Sequence, residues 1–561
     1  MPQGSALSTG RPSSSTGGSG GRSSCGTQWS DELNVAVRRP RRDFPAGTTL
    51  ALAVTAAVLL VTTGGGCARS LKRIDVARQQ FVAGDAAAAQ SELDRLVRRG
   101  GRNARAAELD LAVVELAAGQ AAAAEARLRR LRDEFDQPEL VGETAGNAAS
   151  MVSDDNSRPF HAAGYEQVMI RTLLAVCSLA RDSGDVESYL NQAVMKQNQL
   201  KRQREQRMLQ VGLGESAIDS AEPEPALALA PYLRGVIREA SHHDYDDAQR
   251  HYRLVGAMAP QFRPAAEDLQ RATVGVHSSP GHGVLYVLSL VGRGPVLEPV
   301  EAPVTSVATT IAAHLINLDR EDNVDSVPLH VPVKVPRVVV PSSDIQTIAV
   351  ETRPLNSAEP HKVVRHGVTQ PLTDVAMLAR HQNESEMPWT IARAVSRRII
   401  KHTAVSATRR GLDFDGVGGT LFQLAASTAW TASEQADLRC WGLLPREIQV
   451  LRAELPVGEH QVSLTPTGAH GTVSLTDQSG HSTCRSLPVL IEDARNTYVV
   501  AIAPDRFVYI VPPARFGRRG SEPARAEAEQ LPRVAIRQDL PGSPGTTQPD
   551  DRNDRSGHVS R

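Results

Sequence analysis

FVAGDAAAAQSELDRL (Phe81–Leu96) and LAAGQAAAAEARLRRL (Leu116–Leu131) overlay position by position at a spacing of about 35 residues, close to the roughly 34-residue period of tetratricopeptide-type helix pairs. Gly84 falls on Gly119, Ala89 on Ala124, Leu93 on Leu128 and Leu96 on Leu131. The alanines permit close approach of two antiparallel helices, and the leucines three apart make the apolar stripe between one helix pair and the next. A third unit, HHDYDDAQRHYRLVGAMAP, carries Ala248, Tyr252 and Pro260 at the spacing of the same repeat class. A fourth and weaker one centres on Gly184 and Asp185 and runs into Tyr189, Leu190 and Val194. Such units cannot bury their apolar faces alone, so they stack and create a concave surface. Residues 68–275 therefore read as a tetratricopeptide-like helical domain. Phe81, Leu93, Leu116, Leu128, Tyr232 and Tyr252 are its candidate partner-binding residues; the alternative is an array that packs only against the rest of its own chain.

Beyond Gly281 the period changes. GHGVLYVLSLVG is an apolar run bounded by glycines, the pattern of a buried strand. LHVPVKVPRVVV alternates from Leu329, with Val331, Val333 and Val335 on one face, and Pro332 and Pro336 demote it to an edge or irregular strand. Helical pattern returns at Asp374–His381 and at Trp389–Arg409, where Ile391, Val395 and Ile399 recur at helical spacing. Thr431 and Glu434 fit a capping box for a short helix around TASEQADLRCW. The runs IQVLRAEL, HQVSL, TVSL, LPVLIE, TYVVAIA and FVYIV, separated by turn signals, read as consecutive short strands of a small β-sandwich. The expected fold class is α+β and multidomain: helical repeats, then a β-sandwich-like region with inserted helices. The expected segments are a β-rich region at 280–372, a helical insertion at 373–440, a small β module at 441–514, and a disordered tail at 515–561 rich in charge, proline and glycine.

Residues 1–45 begin Ser- and Gly-rich and end in a basic cluster, Arg38, Arg39, Arg41 and Arg42. The apolar run LALAVTAAVLLV follows, then TTGGGC ending at Cys67. Basic, apolar, then small residues is the order of a secretory signal. Cys67 after small residues resembles a lipobox and is the candidate lipidation site, with Gly64 standing where such a motif has a larger aliphatic residue. An uncleaved anchor over 46–67 is the competing reading, short beside the roughly 20 residues of a full span. Both readings keep the four arginines in the cytoplasm and the body outside.

Composition narrows the partners. A net charge of −1 gives no bulk attraction to nucleic acid, and 4% aromatic residues leave little stacking surface. Cys25, Cys67, Cys177, Cys440 and Cys484 show no C-x-x-C spacing; Cys440 and Cys484 fit either a bridge or two buried thiols. The sequence contains no P-loop, G-x-S-x-G or H-E-x-x-H motif, so catalytic, metal and cofactor sites are not expected. His242, His243, Asp244, Asp246 and Asp247 resemble metal ligands on paper but occupy the polar loop of a helix hairpin. Asp437, Arg439, Arg446 and Glu447 form a candidate ion-pair cluster beside Trp441, able to hold a ligand or to lock a helix end onto the β region. Arg393, Arg397, Arg398 and Lys401 give one helix a basic face, suited to anionic lipid or to solvent.

GYEQVMIRTLLA (164–175), NQAVMKQNQ (191–199), DYDDAQRHYR (244–253), GHGVLYVLSLVGRGP (281–295), MPWTIARAVSRRIIKH (387–402) and ADLRCWGLLPREIQVLRAELPVGEHQV (436–462) together resemble an uncharacterised family of bacterial envelope lipoproteins with a helical-repeat front half and a β-rich back half. The resemblance implies a place in the envelope and no particular chemistry. The expected function is that of a membrane-tethered, non-enzymatic scaffold binding another envelope protein through its repeats. The rival is a ligand-binding or enzymatic module between the β region and the inserted helices.

Overall fold

The computed structural model describes residues 65–137, 159–211, 225, 227–316, 332–356, 362–411, 436–469, 471–472 and 485–513, with side chains for all of these but 65–69, 401–411 and 472. Most of the expected signal or anchor, the tail at 515–561 and Cys484 lie outside the described residues, and Cys67 is described only as backbone in the first turn of a helix. Among the described residues no helix is long and apolar enough to cross a membrane.

The fold is α+β. Its front half is an array: α1 (Gly65–Val82), α2 (Ala86–Arg99), α3 (Ala104–Ala117), α4 (Ala121–Asp136), α5 (Gly164–Arg181), α6 (Val186–Gln210), α7 (Leu229–Glu239), α8 (Tyr245–Met258) and α9 (Pro264–Val274), each packed on the next. The repeat in the sequence is a repeat in space. Gly84 and Gly119 occupy equivalent turns, α1–α2 and α3–α4, and both have positive φ, +97° and +77°. Ala89 and Ala124, and Leu93 and Leu128, are buried at matching places one helix pair apart.

The back half holds β1 (His282–Arg293), β2 (Val296–Ala302), α10 (Ser306–Leu315), β3 (Val333–Val339), β4 (Thr347–Pro354), β5 (Val364–Val368), β6 (Gln370–Asp374), α11 (Val375–Gly411), β7 (Pro445–Pro456), β8 (Gly458–Gly468), β9 (Gly471–Thr472), β10 (Arg485–Ile491), β11 (Asn496–Ala503) and β12 (Tyr509–Val511). One sheet runs β12-β11-β1-β7-β6, a second runs β10-β8-β4-β5 with β9 on β8, and β2 pairs with β3 alone. Strands from 280–372 and from 441–514 thus interleave within the same sheets: β1 lies between β11, in parallel, and β7, antiparallel. The two stretches make one body, not two successive modules.

This placement explains the apolar run of β1. Leu285, Val287 and Val291 pack against the second sheet, in a core shared with Ile348, Val462 and Val489. Val284, Tyr286, Leu288 and Leu290 belong to the larger core that includes the helices. A strand covered on both faces has no polar face to alternate with. The prolines of the 329–340 stretch have the expected consequence: Pro336 faces Pro299 across the two-stranded β2–β3 ribbon, where missing N–H groups cost little.

Two local expectations are corrected. The helical patterns on either side of Pro388 form one continuous helix, α11. Trp389, Ile391, Val395 and Ile399 are buried against α10 and β3, and that packing offsets the roughly 3 kcal/mol that an internal proline costs. The short helix expected around 431–441 is absent from its described part, since residues 436–441 are irregular. Their backbone groups are bound by side chains from the array instead.

Candidate functional site

Three array helices aim a charged side chain at the same irregular segment, Cys440–Leu443. Arg78 of α1 donates from Nη2 to the Cys440 carbonyl at 2.5 Å and from Nε to Asp110 Oδ2 at 2.7 Å. Asp110 of α3 accepts the Leu443 N–H on Oδ1 at 3.0 Å. Glu166 of α5 accepts the Trp441 N–H on Oε1 at 2.6 Å and the Ala163 N–H on Oε2 at 2.7 Å. A peptide segment without helix or ladder must find partners for its buried polar groups, and here the array supplies them. Gly442 allows the approach, because a methyl group at that position would collide with the Arg78 guanidinium.

The electrostatics follow from burial. Asp110 and Glu166 are 0% and 1% exposed. Burial pushes Glu166 up to about 7, against the stabilising N–H groups of Trp441 and Ala163. Burial also raises Asp110, with Arg78 opposing. Desolvation, the largest effect, would lower Arg78, but Asp110, Cys440 and Asp75 together outweigh it and hold the guanidinium above its ordinary range. The Cys440 thiol, a free and buried cysteine, is pushed up to about 11 by burial and is a poor nucleophile there.

Beside this clamp a cleft of about 420 Å³ opens between α1, the β1–β2 turn and residues 438–444. Arg78 and Cys440 are in its wall. A second buried network lies within the array, between α7, α8 and α9: Glu239 accepts from the Tyr252 hydroxyl at 2.6 Å and from Arg271 Nη2 at 3.0 Å, and Arg271 also donates to Asp268 at 2.8 Å. Burial pushes Asp268 up to about 6, with Arg271 opposing.

The residues singled out in the sequence fall elsewhere. Phe81, Leu93, Leu116, Leu128, Tyr232 and Tyr252 are all at most 1% exposed and belong to the core; none is on a surface a partner can touch. The four-residue ion-pair cluster divides into two local pairs. Arg439 grips Asp437 through Nε at 2.8 Å and Nη2 at 2.5 Å, and reaches the Arg102 carbonyl in the α2–α3 turn at 3.2 Å. Arg446 pairs with Glu447 at 3.1 Å on β7. In the α7–α8 loop Arg238 binds Asp244 at 3.3 Å and Asp247 at 3.5 Å, while His242 Nε2 meets the Ala494 carbonyl at 2.8 Å. Among the described residues no three His, Cys, Asp or Glu side chains are arranged to hold a metal. The basic helix face is partly consumed: Arg397 is buried, and Arg398 donates to the Pro332 carbonyl at 3.0 Å.

Arg78, Asp110 and Glu166 were not among the sequence candidates. Two of them carried a signal: Asp110 in LDLAVVEL and Glu166 in GYEQVMIRTLLAV are acids inside helices that are apolar around most of their circumference. An acid in such a place is almost never buried without a partner. No family profile, curated protein or solved structure matches the chain.

Proposed function

We propose that this is an exported, membrane-tethered protein of the cell envelope that works without catalysis, as a scaffold whose outer faces meet other envelope proteins. The single observation that carries the non-catalytic reading is how the buried acids are used. Both oxygens of Asp110 and both of Glu166 already hold a donor from the chain itself. A general acid or base needs an oxygen turned toward a reacting atom, whereas these two are turned onto the backbone of 440–443. The array's charged interior is thus spent on its own chain, and a protein partner has the outer faces of the helices to meet. The tether rests on the order basic cluster, apolar run, Cys67 in the sequence.

A second reading, a ligand-binding module where the β half meets the segment after the inserted helix, is favoured by the cleft beside α1. It is compatible with the first, since binding needs no catalyst.

The tether is tested by fusing after residue 70 a reporter enzyme that folds only outside the cytoplasm. Activity outside the cytoplasm is expected; a reporter active only inside removes the envelope reading. The scaffold is tested by crosslinking intact cells and mapping crosslinked residues. Reproducible links from outer helix faces to one envelope protein are expected, and a body that links only to itself contradicts it.

A further inference from the structure

We propose that the cleft beside α1 takes a carboxylate carried on one small apolar group, with Arg293 as its anchor; this rests on the ligand-binding reading of that cleft. The volume, about 420 Å³, falls within the roughly 300–1,000 Å³ of small-molecule sites. Two arginines line it, and they differ in what they hold. Arg78 is consumed, donating to Asp75, Asp110 and the Cys440 carbonyl. Arg293 is half-buried, and among the described residues its guanidinium has no hydrogen-bond or ion-pair partner. A guanidinium that has given up part of its hydration without gaining a partner is stabilised by an anion, and its planar fork matches a carboxylate in a two-point contact.

The backbone that carries Arg293 is held in place. Arg293 faces Pro445 at the last rung of the β1–β7 pairing, and the next residue, Gly294, lies so close to the Leu444 carbonyl that any side chain there would collide with it. The anchor therefore stands on a fixed part of the cleft wall, which lowers the cost of ordering it around a ligand.

Charge and shape choose the ligand. Of the acids in the lining, Asp75 is bonded to Arg78 at 3.1 Å, and Glu298 faces Arg337 directly across the β2–β3 ribbon. The charged lining and the groups paired with it carry one positive charge in excess, Lys72, Arg78, Arg293 and Arg337 against Asp75, Asp110 and Glu298. One excess charge suits a carboxylate better than a phosphate monoester, which carries nearly two negative charges at neutral pH. Leu71, Leu297 and Leu438 are half-buried walls of the same cleft, leaving apolar surface for a small side-chain-sized group to cover. Two sources present this chemistry: the C-terminus of a polypeptide ending in an apolar residue, and a free small acid.

The test titrates the purified full chain with N-acetyl-L-leucine, with its neutral amide and with N-acetylglycine, reading affinity from saturation-transfer NMR. The proposal expects the leucine acid to bind roughly tenfold more tightly than either, a difference of about 1.4 kcal/mol. It expects Arg293→Gln, which breaks no bond within the described residues and leaves the melting temperature unchanged, to abolish the preference for acid over amide. A short peptide ending in leucine that binds roughly tenfold more tightly still, and loses the gain when its C-terminus is amidated, supports a polypeptide as source; equal affinity of peptide and N-acetyl-L-leucine supports a free acid. Equal binding of acid and amide, an acid preference that survives Arg293→Gln, or equal binding of the leucine and glycine acids overturns the proposal while leaving the cleft a ligand site. No binding by any probe overturns the proposal and the ligand-binding reading together.

Discussion

The Arg78 guanidinium and the Asp110 carboxylate, 2.7 Å apart, grip one short piece of backbone from both sides, Arg78 at the Cys440 carbonyl and Asp110 at the Leu443 N–H. Cys440 lies 362 positions after Arg78 in the chain, so this pair closes the helical half onto the β half. A buried ion pair gains little against a well-packed apolar substitute, but breaking one by removing a single partner leaves the other charge buried. Arg78→Met is expected to lower the unfolding free energy by about 3–5 kcal/mol. Urea denaturation measures it, and a loss below about 1 kcal/mol would show that Asp110 is solvated without its partner.

Gly442 supplies an independent check on the same contact. Gly442→Ala puts a methyl group into the space of the Arg78 guanidinium, so it destabilises wild type and is close to silent in the Arg78→Met background, where the shorter side chain leaves room. The double-mutant cycle is expected to show coupling of about 0.5–3 kcal/mol. Additive effects of the two substitutions would mean that Gly442 is required for some other reason.

Glu166 makes stability depend on pH with a definite sign. Its ordinary value of 4.5 is raised to about 7 in the folded chain, so between these values the folded state keeps a proton that the unfolded state has lost. The stability this confers is complete below about pH 4.5, falls as pH rises, and is gone above about pH 7. The slope is about 1.4 kcal/mol per pH unit within the window. Glu166→Gln does not titrate, and its amide can accept only one of the two N–H groups now bound. Unfolding curves of both proteins across the window should show wild type losing ground to the variant as pH rises. A difference that stays constant with pH would contradict a protonated Glu166.

The equivalent repeat glycines are expected to differ in cost. Gly84 has φ +97° and a Cβ there would lie 2.8 Å from Phe507 Cδ2, whereas Gly119 has φ +77° and its nearest neighbour, Pro512 Cδ, is at 3.5 Å. Gly119→Ala therefore pays only the left-handed backbone term of about 1–2 kcal/mol. Gly84→Ala adds displacement of Phe507, which packs on Tyr509 with ring centres 4.6 Å apart. Melting temperatures should fall further for Gly84→Ala; equal losses would mean that the Phe507 ring moves aside freely.

Much of the fold was legible because its signals are local. The 35-residue recurrence of glycine, alanine and leucine locates the turns and the buried stripe of the array, and alternation with turn residues locates β7, β8, β10 and β11. What could not be read is which strand lies beside which. The pairing of β1 with β11 in parallel depends on the second sheet and the array covering its two faces, and periodicity within one strand carries no information about its neighbour. The same limit hid the site. Leu93 and Tyr252 look like groove residues only while the packing of the helices is unknown; both are buried in the core that the array shares with the β half, and the polar work passes to Arg78, Asp110 and Glu166. The helical patterns at Asp374–His381 and Trp389–Arg409 run together across Pro388 for a reason equally non-local, the burial of Trp389 and Val395.

Hydrogen exchange at the Trp441 and Leu443 amides tests the clamp most directly. Both are irregular backbone bound only to side chains of distant helices, so an integral clamp gives them the protection of the central strand β1, lost only on global unfolding. Exchange at the rate of an exposed loop, with β1 still protected, would mean that the array and the β half separate readily and that the clamp is not what joins them.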